Sequence, residues 1–376
     1  MRDTDPTSCH EPDLASWLRL AQTPGVGRIT AAYLLQEFGS PAAIFTAGAA
    51  RLAQCVTPAQ ARSLCAPPSP DTSRLIATTQ AWLGEPGNRV LTLHGPGYPS
   101  LLAEIPDAPL MLYIRGRAEL LHGAALAIVG SRNASVQGQA NARAFARDLS
   151  EAGLTIVSGL ALGIDTAAHD GALHGCASTV AVIGTGADRI YPARNAALAR
   201  RIAQEGCLVS EYPLGTPPRP EHFPQRNRII SGLAAGVLVI EAAAGSGSLI
   251  TARLAIEQGR DVFALPGSIH AALSKGCHQL IREGAQLVET SVDVLQALSM
   301  APLVRAMQPA RVPPVPISSP LLDILGFDAM HIDAILAHAG MGAAELSAQL
   351  LALELDGVVT RLAGGMVQRV QSHPSN

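Results

Sequence analysis

The stretch Leu126–His169, LAIVGSRNASVQGQANARAFARDLSEAGLTIVSGLALGIDTAAH, constrains the fold more than any other part of the chain. Leu126–Val129 is an apolar run too short for a helix and closed by Gly130, the pattern of a strand buried on both faces. Ser135 is placed to cap the helix that follows, in which Ala142, Phe145, Ala146 and Leu149 form one apolar face. Gly153 is placed to end it, and Leu154–Val157 reads as a second buried strand. A strand–helix–strand unit of this length requires a parallel sheet with right-handed crossovers.

The pattern continues. Thr179–Ile183, Leu208–Ser210, Val237–Ile240, Val262–Leu265 and Leu287–Val288 read as strands, with helical spacing near 193–205, 223–234, 248–258 and 275–284. Val90–His94 and Met111–Arg115 are strand-like runs leading into them. The fold class expected is α/β, an extended Rossmann-like, doubly wound, mainly parallel sheet. The chain divides into an unstructured start (1–12), an N-terminal helical domain (13–85), the Rossmann-like domain (86–300), a Pro-rich linker (301–319) and a C-terminal domain (320–372). In the last, Leu321–Leu325, His331–Ala339 and Ala343–Leu355 read as helices and Gly364-Gly365 as the turn of a β-hairpin, which together suggest a small winged helix. In the N-terminal domain, Leu14–Leu20, Leu52–Leu64 and Leu75–Leu83 read as helices. The Pro24-Gly25-Val26-Gly27 turn is either a helix-hairpin-helix (SAM-like) element facing a DNA phosphate or a tight packing turn.

The formal net charge is −3, so nucleic acid can be held only by a local basic patch. Lys275 is the single lysine, which leaves basic chemistry to arginine. The six cysteines form no C-x-x-C pair and are expected to be reduced and structural; no metal site is expected. No signal-peptide pattern and no membrane-length apolar run occurs, which suggests a cytoplasmic protein.

In an open parallel sheet, ligands sit beyond the carboxyl ends of the strands. At those ends the sequence places Gly130-Ser131-Arg132, Ser158-Gly159 through Gly163, Gly184-Thr185-Gly186, Glu211-Tyr212-Pro213 and AAAGSGSLIT with Ser246-Gly247-Ser248. Converging glycine and serine loops that enter helices hold anions, above all phosphates. The dinucleotide fingerprint and the Walker A sequence are both absent, so no nucleotide cofactor is expected. The segment HFPQRNRIISG adds Gln225, Arg226, Asn227 and Arg228. An arginine cluster of Arg132, Arg226 and Arg228 beside glycine loops suits a single nucleic-acid strand. The competing role for Arg226 or Arg228 is an ion pair with Glu211 or Glu241. Asp165 and His169 share a helix face, but a satisfied helix-end histidine accounts for His169 without catalysis.

These motifs together resemble the DNA-processing protein A family (DprA, or Smf). The resemblance rests on VGSR at 129–132, SGLALGID at 158–165 with His169, VIGTGADRIYPARN at 182–195, VSEYP at 209–213, FPQRNRII at 223–230, IEAAAGSGSLITAR at 240–253, VFALPG at 262–267 and SKGCHQLI at 274–281. It implies a non-catalytic protein that binds and protects single-stranded DNA without sequence preference. It further implies loading of RecA recombinase during natural transformation, and a homodimer formed through the Rossmann-like domain. DNA contacts are implied for Arg132 and the FPQRNR arginines, with Lys275 in the SKGCHQLI motif. Leu162 and His278 depart from the family's usual residues. The alternative is a nucleotide-processing enzyme of the phosphoribohydrolase type on a related sheet.

Overall fold

The computed structural model describes residues 11–300 and 319–370. The start expected to be unstructured, as far as residue 10, and the expected linker, as far as residue 318, lie outside the described residues. Six helices form the N-terminal region: α1 (Glu11–Ala21), α2 (Arg28–Phe38), α3 (Pro41–Thr46), α4 (Ala49–Leu52), α5 (Pro58–Cys65) and α6 (Pro70–Leu83). The first helix thus begins at Glu11, inside the stretch expected to be unstructured. The single helix expected over Leu52–Leu64 is two, because Thr57 and Gln60 form a reciprocal capping box that starts α5 at Pro58.

The central sheet contains β1 (Asn88–Thr92), β2 (Met111–Gly116), β3 (Ala125–Val129), β4 (Thr155–Ser158), β5 (Thr179–Val182), β6 (Cys207–Ser210), β7 (Gly236–Val239), β8 (Asp261–Ala264) and β9 (Gln286–Leu287). Its strand order is β1-β2-β6-β5-β4-β3-β7-β8-β9. From β6 through β9 every pair is parallel; β2 pairs antiparallel with β1 and β6. The connections contain α7 (Ser100–Ala103), α8 (Val136–Glu151), α9 (Ile164–Ala172), α10 (Ala196–Glu205), α11 (His222–Gly232), α12 (Gly247–Glu257), α13 (Lys275–Arg282) and α14 (Ser291–Ala297).

Strand β3 shows why the sheet is covered on both sides. Ala125, Ala127 and Val129 join one core with Val237, Val239, Ile229 and Ala252, whereas Leu126 and Ile128 join another with Phe145, Leu149 and Ile164. Alternation of side chains along an extended strand sends these sets to opposite faces, and all five residues are buried. Ser135 caps α8 as its spacing predicts, its Oγ accepting from the Gly138 N–H at 2.9 Å.

The C-terminal region has its own core, built on Leu321, Leu325, Ile335, Leu346, Leu350 and Val367. It contains α15 (Pro320–Ile324), β10 (Met330–His331), α16 (Ile332–Ala339), α17 (Ala343–Leu355), β11 (Val359–Leu362) and β12 (Met366–Arg369), with a sheet ordered β10-β12-β11. No helix among the described residues is long and apolar enough to cross a membrane.

Candidate nucleic-acid interface

The chain leaves β3 towards β4, β5 and β6 on one side, and β7 towards β8 and β9 on the other. The loops after β3 and β7 therefore diverge, opening a crevice at the topological switch point. A cavity of about 460 Å³ lies there. Its walls are Gly130–Asn133 from the loop after β3, Ala243–Ser248 from the loop after β7, Ala161 and Asp165, and Phe223, Arg226 and Asn227 from the first half of α11.

The two loops are fastened to each other. The Ser131 N–H donates to the Glu241 carbonyl at 2.7 Å, and the Glu241 carboxylate accepts from the Ser135 N–H at 2.9 Å and its Oγ at 2.5 Å. Gly138 leaves the room that this carboxylate fills; any Cβ there would collide with it. The positive end of α8 is thus neutralised from within. The start of α12 is different. Ser246 Oγ accepts from the Ser248 N–H at 3.4 Å, Gly247 is exposed, and the first turn carries no acidic residue, so this helix end faces the crevice with its partial positive charge available.

Arg226 forms the floor. It is 4% exposed, and its Nη1 donates to the carbonyls of Gly159 (2.6 Å) and Val182. Asp165, equally buried, accepts from the Gly159 and Ala161 N–H groups at 3.1 and 3.3 Å. Burial pushes the Asp165 carboxyl up, and Arg226 opposes that rise. Burial also lowers the Arg226 guanidinium, to about 10, so it stays charged at neutral pH; Asp165 acts in the opposite sense. Its buried Nε has no hydrogen-bond partner among the described residues, which for a cation is a costly vacancy in the bonding. Above it, Arg132 is exposed and forms no ion pair among the described residues. Its guanidinium lies 5.9 Å over the Phe223 ring, and it acts on Arg226 as a like charge. Two guanidiniums, a free helix start and an aromatic face converge on one cavity.

Of the residues expected from the sequence, Gly130, Ser131, Arg132, Arg226, Asn227, Ser246, Gly247 and Ser248 line this cavity together. The others stand behind or beside it. Ser158 is buried and donates to the Ile128 carbonyl at 2.6 Å. Gly159 serves Arg226 and Asp165. Gly163 sits at φ +77°, where a Cβ would strike the Ser131 and Arg132 carbonyls, so it locks the second loop under the first. Gly184 packs against Phe223, and the Gly186 N–H donates to the Thr216 carbonyl at 3.1 Å. Gln225 is exposed and accepts from the Tyr212 hydroxyl at 3.4 Å. Lys275 is exposed and donates to the Ile269 carbonyl.

Arg228 corrects the expectation that the α11 arginines face one edge. Both lie on a helix, and residues two apart on a helix point in nearly opposite directions. Arg228 is 5% exposed at its side chain and turns away from the cavity, donating from Nε to Asp107 at 2.7 Å and from Nη2 to Glu211 at 2.5 Å. Arg28, at the start of α2, meets the other oxygen of Glu211 at 3.1 Å. For Arg228 the ion-pair reading holds. The same network ties the N-terminal hairpin to the core, and Gln60 Nε2 holds its turn by donating to the Gly25 carbonyl at 2.8 Å. These bonds suit the packing reading of that turn.

His169 is fully buried. Its Nε2 accepts from the Leu160 N–H at 3.2 Å, so the proton resides on Nδ1 and is shared with Thr179 Oγ1 at 2.7 Å. Burial, followed by the charge of Arg226, pushes its pKa down from 6.5 to about 3. The fold favours the neutral ring. Its contribution to stability is therefore complete above pH 6.5 and is lost as the pH falls from there towards about 3, at a limiting slope of about 1.4 kcal/mol per pH unit. The raised Asp165 works in the opposite sense, gaining stability as it takes up its proton. A comparison of variants separates the two: His169→Asn should show a flatter loss of stability than the parent in denaturant titrations between pH 6.5 and 4. Parallel curves would remove the histidine from the acid response.

Phe223, Asn133 and Thr251, which complete the cavity, were not singled out by sequence. The signal for Phe223 was present: it is an aromatic second residue of a helix in a chain with only six phenylalanines.

Comparison with known proteins identifies the family. The family model described as DNA recombination-mediator protein A matches residues 89–299, and the DprA winged helix domain matches residues 305–365. The chain belongs to the DNA recombination-mediator protein A family. It is 41% identical to Protein Smf of Escherichia coli over 301 residues, covering 78% of this chain and 80% of that relative. It is 52% identical to DNA processing protein DprA of Streptococcus pneumoniae over 198 residues, covering 53% of this chain and 70% of the relative. The crystal structure of the S. pneumoniae DprA superimposes with a TM-score of 0.64 at 38% identity, covering 77% of this chain and 98% of that one. A structure of DNA processing protein A from Helicobacter pylori, described for its single-stranded DNA binding mode, gives 0.52 at 31% identity over 56% of this chain and 96% of that one. Membership of the DprA family fixes the fold class as a mainly parallel α/β sheet followed by a winged helix.

Proposed function

We propose that this DprA-family chain binds single-stranded DNA without sequence preference in the crevice between β3 and β7, protects it, and presents it to RecA recombinase without catalysing a reaction on it. The observation that carries this reading is the exposed, unpaired guanidinium of Arg132 over Phe223, facing the buried charge of Arg226 and the free start of α12. Phosphates fit the cations and the helix end; a base fits the aromatic face. A groove at strand ends accepts single bases and one backbone more easily than a duplex. The family's description as a recombination mediator supports the RecA partnership, and the H. pylori relative's single-stranded ligand supports the DNA class. Against the phosphoribohydrolase alternative, Asp165 and Glu241 are both engaged in holding loops, and His169 is neutral and buried. Incubation with nucleoside monophosphates should release no base; base release would favour the enzyme.

The homodimer belongs to the same reading. The sheet ends on β9, which leaves Leu287 45% exposed, and α12, packed on β8 beside it, leaves Ile256 54% exposed. Sedimentation should give a dimer for the parent and a monomer for Leu287→Arg; a monomeric parent would contradict the assignment.

The winged helix should contribute little to DNA affinity. Its α17 carries Glu345 and Glu354 and no basic residue, with exposed Leu351 and Leu355. Both arginines of its hairpin are engaged: Arg361 pairs with Glu354 at 3.2 Å, and Arg369 donates to the Leu322 carbonyl at 3.0 Å. A helix of this charge repels phosphates and suits protein contact. A chain ending at Met300 should therefore bind oligo-dT within about three-fold of the parent, since the phosphate contacts that set affinity stay in place. A loss of an order of magnitude would place a DNA site in the winged helix.

A further inference from the structure

Beyond the crevice, the loop between β5 and α10 carries features that the crevice does not use. Tyr191 is 47% exposed; Tyr98, Tyr113 and Tyr212 are buried, and the other exposed tyrosine, Tyr33, lies in the N-terminal helices. Its ring lies 5.6 Å from that of Phe223, tilted by 37°, and its loop follows β5, which stands two strands from β3 on the side opposite β7. Phe223 is therefore a shared neighbour of Arg132 and Tyr191. Arg189 and Arg194, two and three positions from Tyr191, are both exposed and form no ion pair among the described residues. The one acidic side chain of the loop, Asp188, is exposed but held by the backbone: its two oxygens accept from the Gly215 N–H at 2.8 and 3.0 Å. The loop is not loose, because Thr185 Oγ1 holds the Arg189 carbonyl at 2.6 Å and Asn195 Nδ2 holds the Leu160 carbonyl at 2.9 Å. A fixed loop thus presents an exposed aromatic ring between two free cations, continuous with the crevice through Phe223.

We propose that residues 189–194 form a second segment of the single-strand path, in which Tyr191 stacks a base that has left the crevice and Arg189 and Arg194 hold the phosphates on either side of it. This rests on the reading of the crevice as a single-strand site and extends it along the ends of β4 and β5. Aromatic stacking between flanking cations is the arrangement that holds single strands irrespective of sequence, because every base offers a face. An apolar surface kept exposed on a rigid loop is otherwise unused.

The test uses the full chain and two probes of equal length, oligo-dT and an abasic strand that keeps the sugars and phosphates. Tyr191→Ala should weaken oligo-dT roughly ten-fold, within the span that loss of one stacked base covers, and leave the abasic strand unchanged. Tyr191→Phe should bind both as the parent does, since the ring and not the hydroxyl makes the contact. Arg189→Ala/Arg194→Ala should weaken both probes and reduce the salt dependence by about two phosphate contacts. Equal oligo-dT affinity for parent and Tyr191→Ala would overturn this inference while leaving the crevice reading intact, as would equal loss on both probes. A parent that binds neither probe would overturn both.

Discussion

Replacing Arg228 with alanine should cost about 3–5 kcal/mol of folding stability, the span seen when one member of a buried ion pair is removed and its partner is left without compensation. Arg228 connects α11 to Asp107 before β2 and to Glu211 after β6 through bonds of 2.7 and 2.5 Å, and Glu211 is only 10% exposed. Its loss leaves Glu211 with Arg28 alone, at 3.1 Å and in a more exposed position. The N-terminal helices should then loosen before the sheet does. Denaturant unfolding and limited proteolysis read the two effects. Because Arg228 faces away from the crevice, oligo-dT affinity of the folded fraction should stay close to that of the parent. The double variant Arg228→Ala/Glu211→Ala should recover part of the loss, since it removes the stranded charge. Stability within experimental error of the parent would remove this network from the scaffold.

Arg132→Ala should have the opposite profile. Among the described residues the exposed Arg132 side chain forms no ion pair and lies over the Phe223 ring, so its removal should leave stability near that of the parent. Its effect should fall on the ligand. It is the exposed one of two guanidiniums facing the cavity. Removing a phosphate contact that also aligns a stacked base should weaken oligo-dT by about ten-fold or more and reduce the salt slope by about one unit.

The contrast between these two arginines shows what a sequence can and cannot carry. The sheet was legible because strands buried on both faces are written as short apolar runs bounded by glycine, as Leu126–Val129 and Leu154–Val157 are. The crevice was legible in outline, because glycine and serine loops at strand ends mark the places where a backbone can meet an anion. What was not legible depended on pairs distant in sequence. The α8 cap depends on Glu241, 106 positions from Ser135, and the anchoring of Arg228 rests on a carboxylate that also reaches Arg28, 183 positions away. The helix from His222 sets Arg226 and Arg228 about half a turn apart, although both sit beside the same strand end. Phe223 and Tyr191 acquire meaning only as neighbours, 32 positions apart (223 − 191).

The central claim is that the switch-point crevice, and not the whole charged surface, holds the strand. Fluorescence anisotropy of labelled oligo-dT, titrated with the parent, Arg132→Ala and Arg228→Ala across a salt series, tests it most directly. The account predicts weakening and a shallower salt slope for Arg132→Ala alone, with Arg228→Ala binding like the parent once its folded fraction is taken into account. Equal affinity for the parent and a natively folded Arg132→Ala, at every salt concentration, would contradict it.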